Sequence, residues 1–167
     1  FPKNQLIKEF IDVLPQQDIN VFRGAEKGWM YTGIKDFHES KLSKSRRYLN
    51  KLGRFLDTYF PISGSNTWST LELEVQRGQP INVPASRFVR PYSPRLKYLE
   101  TLKYKRIADQ IEHAAKSGKM VHLRWHPHNF GSHTDKNMEL LSKILDSFEY
   151  CRSKYGMRSM TMQEYAG

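Results

Sequence analysis

Apolar residues return at helical spacing in four segments of the chain. In each segment they recur every three or four positions, which places them on one face of a helix. The four segments are residues 5–14, 36–60, 93–118 and 134–155. Pro15 ends the first predicted helix, Ser93-Pro94 begins the third as an N-cap followed by proline, and Gly156 ends the fourth. Each of these helices therefore has one apolar face to bury.

Shorter apolar segments between the helices predict β-strands. Residues 19–23 alternate between polar and apolar side chains, residues 80–84 allow only a very short strand, and residues 119–126 have the length and composition of a buried strand. Residues 157–160 predict a last short strand, and residues 161–164 have the spacing of a capping box. Because strands and helices alternate, we expect an α/β fold with mostly parallel strands and helices packed outside them.

The composition is that of a folded domain. Hydrophobic residues make up 38% and aromatic residues 13% of the 167 residues, which is enough to build a packed core. No segment approaches the roughly 18 apolar residues that a membrane span needs, so we expect no transmembrane helix. The single cysteine, Cys151, lies on an apolar helix face, which predicts a core thiol rather than a reactive one.

The chain is strongly basic. Lysine and arginine number 27 against 17 aspartate and glutamate, which gives a formal net charge of +10. This charge is compatible with nucleic acid, an anionic glycan or an acidic membrane surface as a partner. The basic residues are spread over several segments and no recognisable nucleic-acid-binding motif accompanies them. We therefore interpret them as a solvated basic face, and nucleic acid is the disfavoured partner.

The densest group of polar side chains follows the last long predicted strand, where parallel α/β folds build their active sites. Along an extended strand His122 and His126 are roughly 13 Å apart, too far to share one metal ion. His126 and His128 are roughly 7 Å apart if extended, but Pro127 between them favours a turn at least as much as a metal site. The structural interpretation makes His122 a hydrogen-bonded interior histidine, Trp125 a core residue and His128 a loop residue. For His126 we expect a function.

Two further groups of residues carry candidate chemistry. Arg23 ends a predicted strand and precedes Glu26, and an arginine there can hold a carboxylate by two parallel hydrogen bonds and keep it ionised. Arg87, Phe88 and Arg90 combine cationic and aromatic side chains before a predicted helix, as a site for sugar hydroxyls or an anionic group would. A solvated arginine and a packed loop are the alternative interpretations of these two groups.

Five short motifs occur in order along the chain. They are Phe1-Pro2-Lys3-Asn4-Gln5, Phe22-Arg23-Gly24 with Trp29, Asn82-Val83-Pro84 with Ser86-Arg87-Phe88 and Arg90-Pro91, Trp125-His126-Pro127-His128-Asn129-Phe130-Gly131, and Tyr155-Gly156-Met157. In this order the sequence resembles the C-terminal half of polysaccharide deacetylases with a NodB-homology domain. It is most similar to a bacterial branch associated with surface-polysaccharide synthesis, and the resemblance spans nearly the whole chain.

The resemblance implies a partial, distorted (β/α) barrel that binds a divalent metal, usually zinc, and hydrolyses N-acetyl groups on a sugar. In the family an aspartate and two histidines hold the metal and another aspartate is the general base. Those motifs belong to the N-terminal half and have no counterpart in residues 1–167. The family's arginine that orients the base matches Arg23, and its late histidine, the general acid, matches His126. Pro127 stands where an aspartate is commoner, and the tryptophan-bearing motif usually found between Arg23 and His126 is not recognisable.

The resemblance also suggests where a substrate would bind. We expect Trp29, Arg87, Arg90 and Asn129 to contact a carbohydrate substrate. The metal ligands are expected outside this chain, with His128 as the one weak candidate within it.

The sequence thus predicts that residues 1–167 are the C-terminal portion of a single deacetylase domain, because a full (β/α) barrel takes about 250 residues. We expect the N-terminal half to complete the metal site and pair with an open sheet edge. This portion alone is expected to lack deacetylase activity, and the favoured location is cytoplasmic. The alternative function is a non-catalytic glycan- or anion-binding module.

Overall fold

The computed structural model describes residues 8–24, 26, 44–69 and 79–166. In chain order the helices are α1 (Lys8–Val13), α2 (Lys44–Asp57), α3 (Glu100–Ser117), α4 (Pro127–Phe130), α5 (Thr134–Tyr155) and α6 (Met162–Ala166). The strands are β1 (Val21–Gly24), β2 (Ile81–Pro84), β3 (Arg87–Phe88) and β4 (Leu123–Arg124). Two 3-10 helices, Leu14–Gln17 and Pro94–Leu99, follow α1 and precede α3. The predicted alternation of helices and strands is confirmed in these residues.

The strands pair in parallel, as the alternation predicts. β1 pairs with β2, with Val21 opposite Ile81, and β3 pairs with β4, with Phe88 opposite Arg124. The described residues thus form two small two-stranded sheets in an α/β fold. The backbone between the sheets is also tied, because the Ser86 amide donates to the His122 carbonyl at 2.8 Å. One antiparallel bridge joins Trp68 to Met120.

The main core lies between α3, α5 and the strand ends. Its buried members are Val89, Ile107, Ile111, Phe130, Leu140, Ile144 and Cys151. Burial of Cys151 confirms the predicted core thiol, and burial with a smaller contribution from Glu112 raises its pKa above the ordinary value. A smaller cluster of Trp68 and Val83 covers the other side of the bridge.

The buried face of α5 differs from the predicted one. Met138 and Leu145 were expected in the core but are 52% and 57% exposed, whereas the neighbouring Leu140 is buried. The polar side chain of Asn137 takes a core position because it satisfies backbone groups of the preceding loop. Its oxygen accepts from the Tyr92 amide at 2.6 Å, and its nitrogen donates to the Ser132 carbonyl at 2.7 Å.

Three other local predictions are corrected by the structure. The predicted strand over residues 119–126 is reduced to β4 and the bridge at Met120, and residues 157–160 form no strand. β3 lies in a segment predicted as loop. These errors share a cause, since a strand also needs a neighbour to pair with and the apolar pattern alone does not supply one.

Helix ends are predicted more accurately. Gly156 ends α5 with a φ of 71°, in the left-handed region that suits glycine. At α6 both bonds of the capping box form, because the Thr161 amide donates to Glu164 Oε2 at 2.6 Å and the Glu164 amide donates to Thr161 Oγ1 at 3.1 Å. None of the helices in the described part of the chain combines the length and the apolar character needed to cross a bilayer.

Candidate functional site

The carboxyl ends of β1, β3 and β4 carry the chemistry-bearing side chains to one edge. Glu26 follows β1, Phe88 ends β3, and His126 follows β4. The Phe88 ring links two of these strand ends, because the guanidinium of Arg124 lies 5.3 Å and the His126 ring 5.6 Å from its centroid. Parallel pairing explains the convergence, since parallel strands end at the same edge of a sheet.

Glu26 and Arg124 form a buried ion pair at this edge. Arg124 Nη2 donates to Glu26 Oε1 at 2.8 Å and its Nε donates to the same oxygen at 3.2 Å. The side chains are 2% and 8% exposed, so water screens this pair little. The two residues are 98 positions apart, and their pairing fixes the loop after β1 against β4.

His126 sits at the start of the short helix α4. Its backbone is extended, with φ of −111° and ψ of 129°, and its ring stacks on that of His128 at 5.3 Å with an angle of 13° between the planes. The side chain is half-buried. An imidazole in this position is suited to proton transfer near neutral pH, because histidine titrates there.

The described residues contain no group of three or more His, Cys, Asp or Glu that could hold a metal ion. His126 and His128 are close, but two stacked rings are not a ligand set for zinc, which takes at least three protein ligands in its catalytic sites. The divalent metal that the resemblance implies, with ligands upstream, stays a prediction.

A cavity of about 400 Å³ opens beside the strand ends. Its wall is cationic and aromatic, with one carboxylate and one hydroxyl. The lining residues are Glu26, Lys51, Arg54, Phe55, Thr58, Arg87, Phe88 and Arg90. We call this space the basic cavity. It shares Glu26 and Phe88 with the strand-end site, so the two are continuous.

Arg87 is the buried anchor of the basic cavity. Its Nε donates to Gln110 Oε1 at 2.7 Å, and its Nη1 donates to the Asp57 carbonyl at 2.8 Å and to Asp57 Oδ2 at 3.4 Å. Arg106 approaches the same carboxylate at 3.8 Å. Two guanidinium groups therefore face one carboxylate in a region where their side chains are 4% and 6% exposed. The excess positive charge lies at the cavity wall.

The structure places the predicted substrate-binding residues unevenly. Arg87 and Arg90 both line the basic cavity, and Arg90 also covers the Phe55 ring at 5.6 Å. Asn129 lies in α4 and is not among the cavity-lining residues. Trp29 lies outside the described residues.

Arg23 does not hold the carboxylate that follows its strand. It lies in β1 opposite Val83, and Glu26 is paired instead with Arg124. The positive charge of Arg23 acts on His122, whose pKa is held below the ordinary value of 6.5 mainly by burial and then by Arg23. The role of Arg23 toward a general base stays a prediction.

Two expectations about the histidine motif are corrected. Trp125 was expected in the core but is 38% exposed, with its ring stacked on Phe130 at 6.0 Å. His128 lies in a turn of helix rather than in an irregular loop. The predicted hydrogen bonding of His122 holds for its backbone amide, which receives from Ser86 Oγ at 2.9 Å, whereas its Nδ1 has no partner in the described structure.

Sequence reasoning missed Lys51, Arg54 and the Glu26–Arg124 pair. Lys51 and Arg54 are three positions apart on α2, which is a signal for a shared cationic face. It was obscured by the many other basic residues of the chain. The ion pair leaves no local signal, because its partners lie on different strands.

Comparison with family models, curated proteins and solved structures gave no match to this chain. The site is therefore interpreted from its own residues and geometry.

Proposed function

We propose that this chain is the C-terminal part of a metal-dependent polysaccharide deacetylase, in which His126 protonates the leaving amine as a sugar N-acetyl group is hydrolysed. The carrying observation is the position of His126 at the carboxyl end of β4, beside Phe88 and next to the buried Glu26–Arg124 pair. The partial, distorted (β/α) barrel belongs to this proposal, and the parallel strands support it.

The described residues have separate roles in this proposal. His126 holds the proton that the departing nitrogen needs, and the ring of Phe88 limits how far the imidazole can turn. The Glu26–Arg124 pair keeps the loop after β1 close to His126 without leaving an unpaired charge in the site. The residues in hand do not offer a metal-ligand set, so no step of the proposal is assigned through a metal.

The test is His126→Ala in the intact protein that contains this chain, with His128→Ala as the matched control. Loss of a general acid is expected to lower kcat by about 10²–10⁴-fold while KM, bound zinc and melting temperature change little. The exposed His128 should tolerate replacement without a comparable loss. Unchanged turnover in His126→Ala would remove the residue from the mechanism, and lost zinc would make it a ligand instead.

A second candidate function is glycan or anion binding without catalysis. It is favoured by the four cationic side chains of the basic cavity, which need no metal to hold an anion. Acetate release by the intact protein from an N-acetylated sugar separates the two candidates, because a binding module releases none.

A further inference from the structure

We infer that the basic cavity binds the oxyanion group, carboxylate or phosphate, of an acidic sugar. As the substrate subsite of a deacetylase this inference rests on the proposed function, whereas anion binding itself can be measured without it. The cavity of about 400 Å³ is large enough for one sugar ring.

Charge is the first argument. Lys51, Arg54, Arg87 and Arg90 line the cavity, while its one carboxylate, Glu26, is already neutralised by Arg124. Cations therefore outnumber the available anions in the wall. Part of this charge lies in a poorly hydrated region, where its attraction for an anion is stronger than at an open surface.

The hydrogen bonding of Arg87 is the second argument. This side chain is buried, and three of its donor contacts go to Gln110 and Asp57, but its Nη2 has no hydrogen-bond partner in the described structure. An unpaired buried donor costs free energy, and a guanidinium is most favourably completed by an oxyanion. Arg87 lies in the cavity wall, so an anion held in the cavity meets this incompletely compensated charge.

The aromatic residues specify the rest of the ligand. Phe55 and Phe88 line the same cavity, and Arg90 lies over Phe55 at 5.6 Å. A small inorganic anion would leave these rings without contact. A sugar that carries an oxyanion places its apolar ring face against them and its charge against the arginines, which is the usual division of a ligand pocket.

The test measures binding of glucuronate, glucose 1-phosphate and glucose to the full chain by calorimetry. Both anionic sugars, or one of them, should bind at least roughly tenfold more tightly than glucose, because at least one charge-assisted hydrogen bond distinguishes them. The stronger of the two identifies carboxylate or phosphate as the source of the charge. Equal affinity for glucose, or no binding of any of the three, would overturn the inference.

Variants of the cavity wall test the location. Lys51→Gln with Arg54→Gln should weaken binding by roughly tenfold or more. The control, Lys105→Gln with Arg152→Gln, removes the same charge at positions that are 69% and 63% exposed and do not line the cavity, and should leave affinity unchanged. An equal loss in both double variants would show general attraction to a basic protein and would overturn the site.

Arg87 provides a direct reporter. Its buried Nε–H, bonded to Gln110, should give a protected NMR signal that disappears in Arg87→Lys and shifts when the acidic sugar is added. The same signal shows whether the double variants keep the fold of the cavity. A signal that does not move at saturating ligand would place binding elsewhere and overturn the inference.

Failure of this inference is distinguishable from failure of the proposed function. Loss of turnover in His126→Ala without anion binding would overturn only the inference. Anion binding at Arg87 with unchanged turnover in His126→Ala would overturn only the assignment of the general acid.

Discussion

Replacing Asp57 tests whether the charge network beneath the basic cavity holds the fold together. Asp57 is fully buried, and its two oxygens accept from the Ser63 amide and the Ser63 hydroxyl at 2.7 Å each. The same carboxylate faces Arg87 at 3.4 Å and Arg106 at 3.8 Å. Asp57→Ala therefore removes the only carboxylate given for either guanidinium among the described ion pairs.

The expected cost follows from burial. Breaking a buried ion pair by deleting one partner destabilises a protein by about 3–5 kcal/mol, because the other charge stays buried and unpaired. Asp57→Asn keeps the shape and an acceptor but loses the charge, so we expect about 1–3 kcal/mol. Since the free energy of unfolding of a domain is about 5–15 kcal/mol, the alanine variant should lose a large part of it.

Equilibrium unfolding in urea measures these differences. Asp109→Ala is the matched control, because its ion pair with Lys105 is 57% and 69% exposed and should be worth about 0–1 kcal/mol. Combining Asp57→Ala with Arg87→Met should cost less than the sum of the single changes, since the unpaired charge is then removed. An Asp57→Ala variant within about 1 kcal/mol of the unmodified chain would refute the reasoning.

Two other predictions concern groups whose pKa is shifted by burial. The pKa of His122 lies below its ordinary value of 6.5, so the unfolded chain binds the proton more readily and stability should be complete above that pH and fall as the pH drops below it. Urea unfolding between about pH 7.5 and 5.5 should show this slope, flattened in His122→Gln and kept in the exposed His113→Gln; an unchanged slope in His122→Gln would contradict it. Cys151 is 1% exposed and burial raises its pKa, so a thiol reagent should label it only as fast as the chain opens, and faster with added urea. Rapid complete labelling of the folded chain would be incompatible with a core thiol.

The parts of the fold that depend on neighbouring residues could be predicted from the sequence. The helix end at Gly156 and the capping box at Thr161 and Glu164 require only residue types at fixed spacing, and both form. The alternation of elements was sufficient to predict parallel pairing of β1 with β2. His126 was placed at a strand end by the same local evidence, although its proposed role depends on a resemblance.

Contacts between distant residues were decided only by the tertiary structure. Glu26 meets Arg124 across 98 positions, and Arg87 meets Asp57 across 30, because strand register and burial bring them together. Spacing along the chain carries no information on such pairs. The buried face of α5 likewise includes Asn137, since the loop it supports has backbone groups that need partners. Local patterns encode periodicity and helix ends, whereas desolvation selects among many possible charge pairs only once the chain has folded.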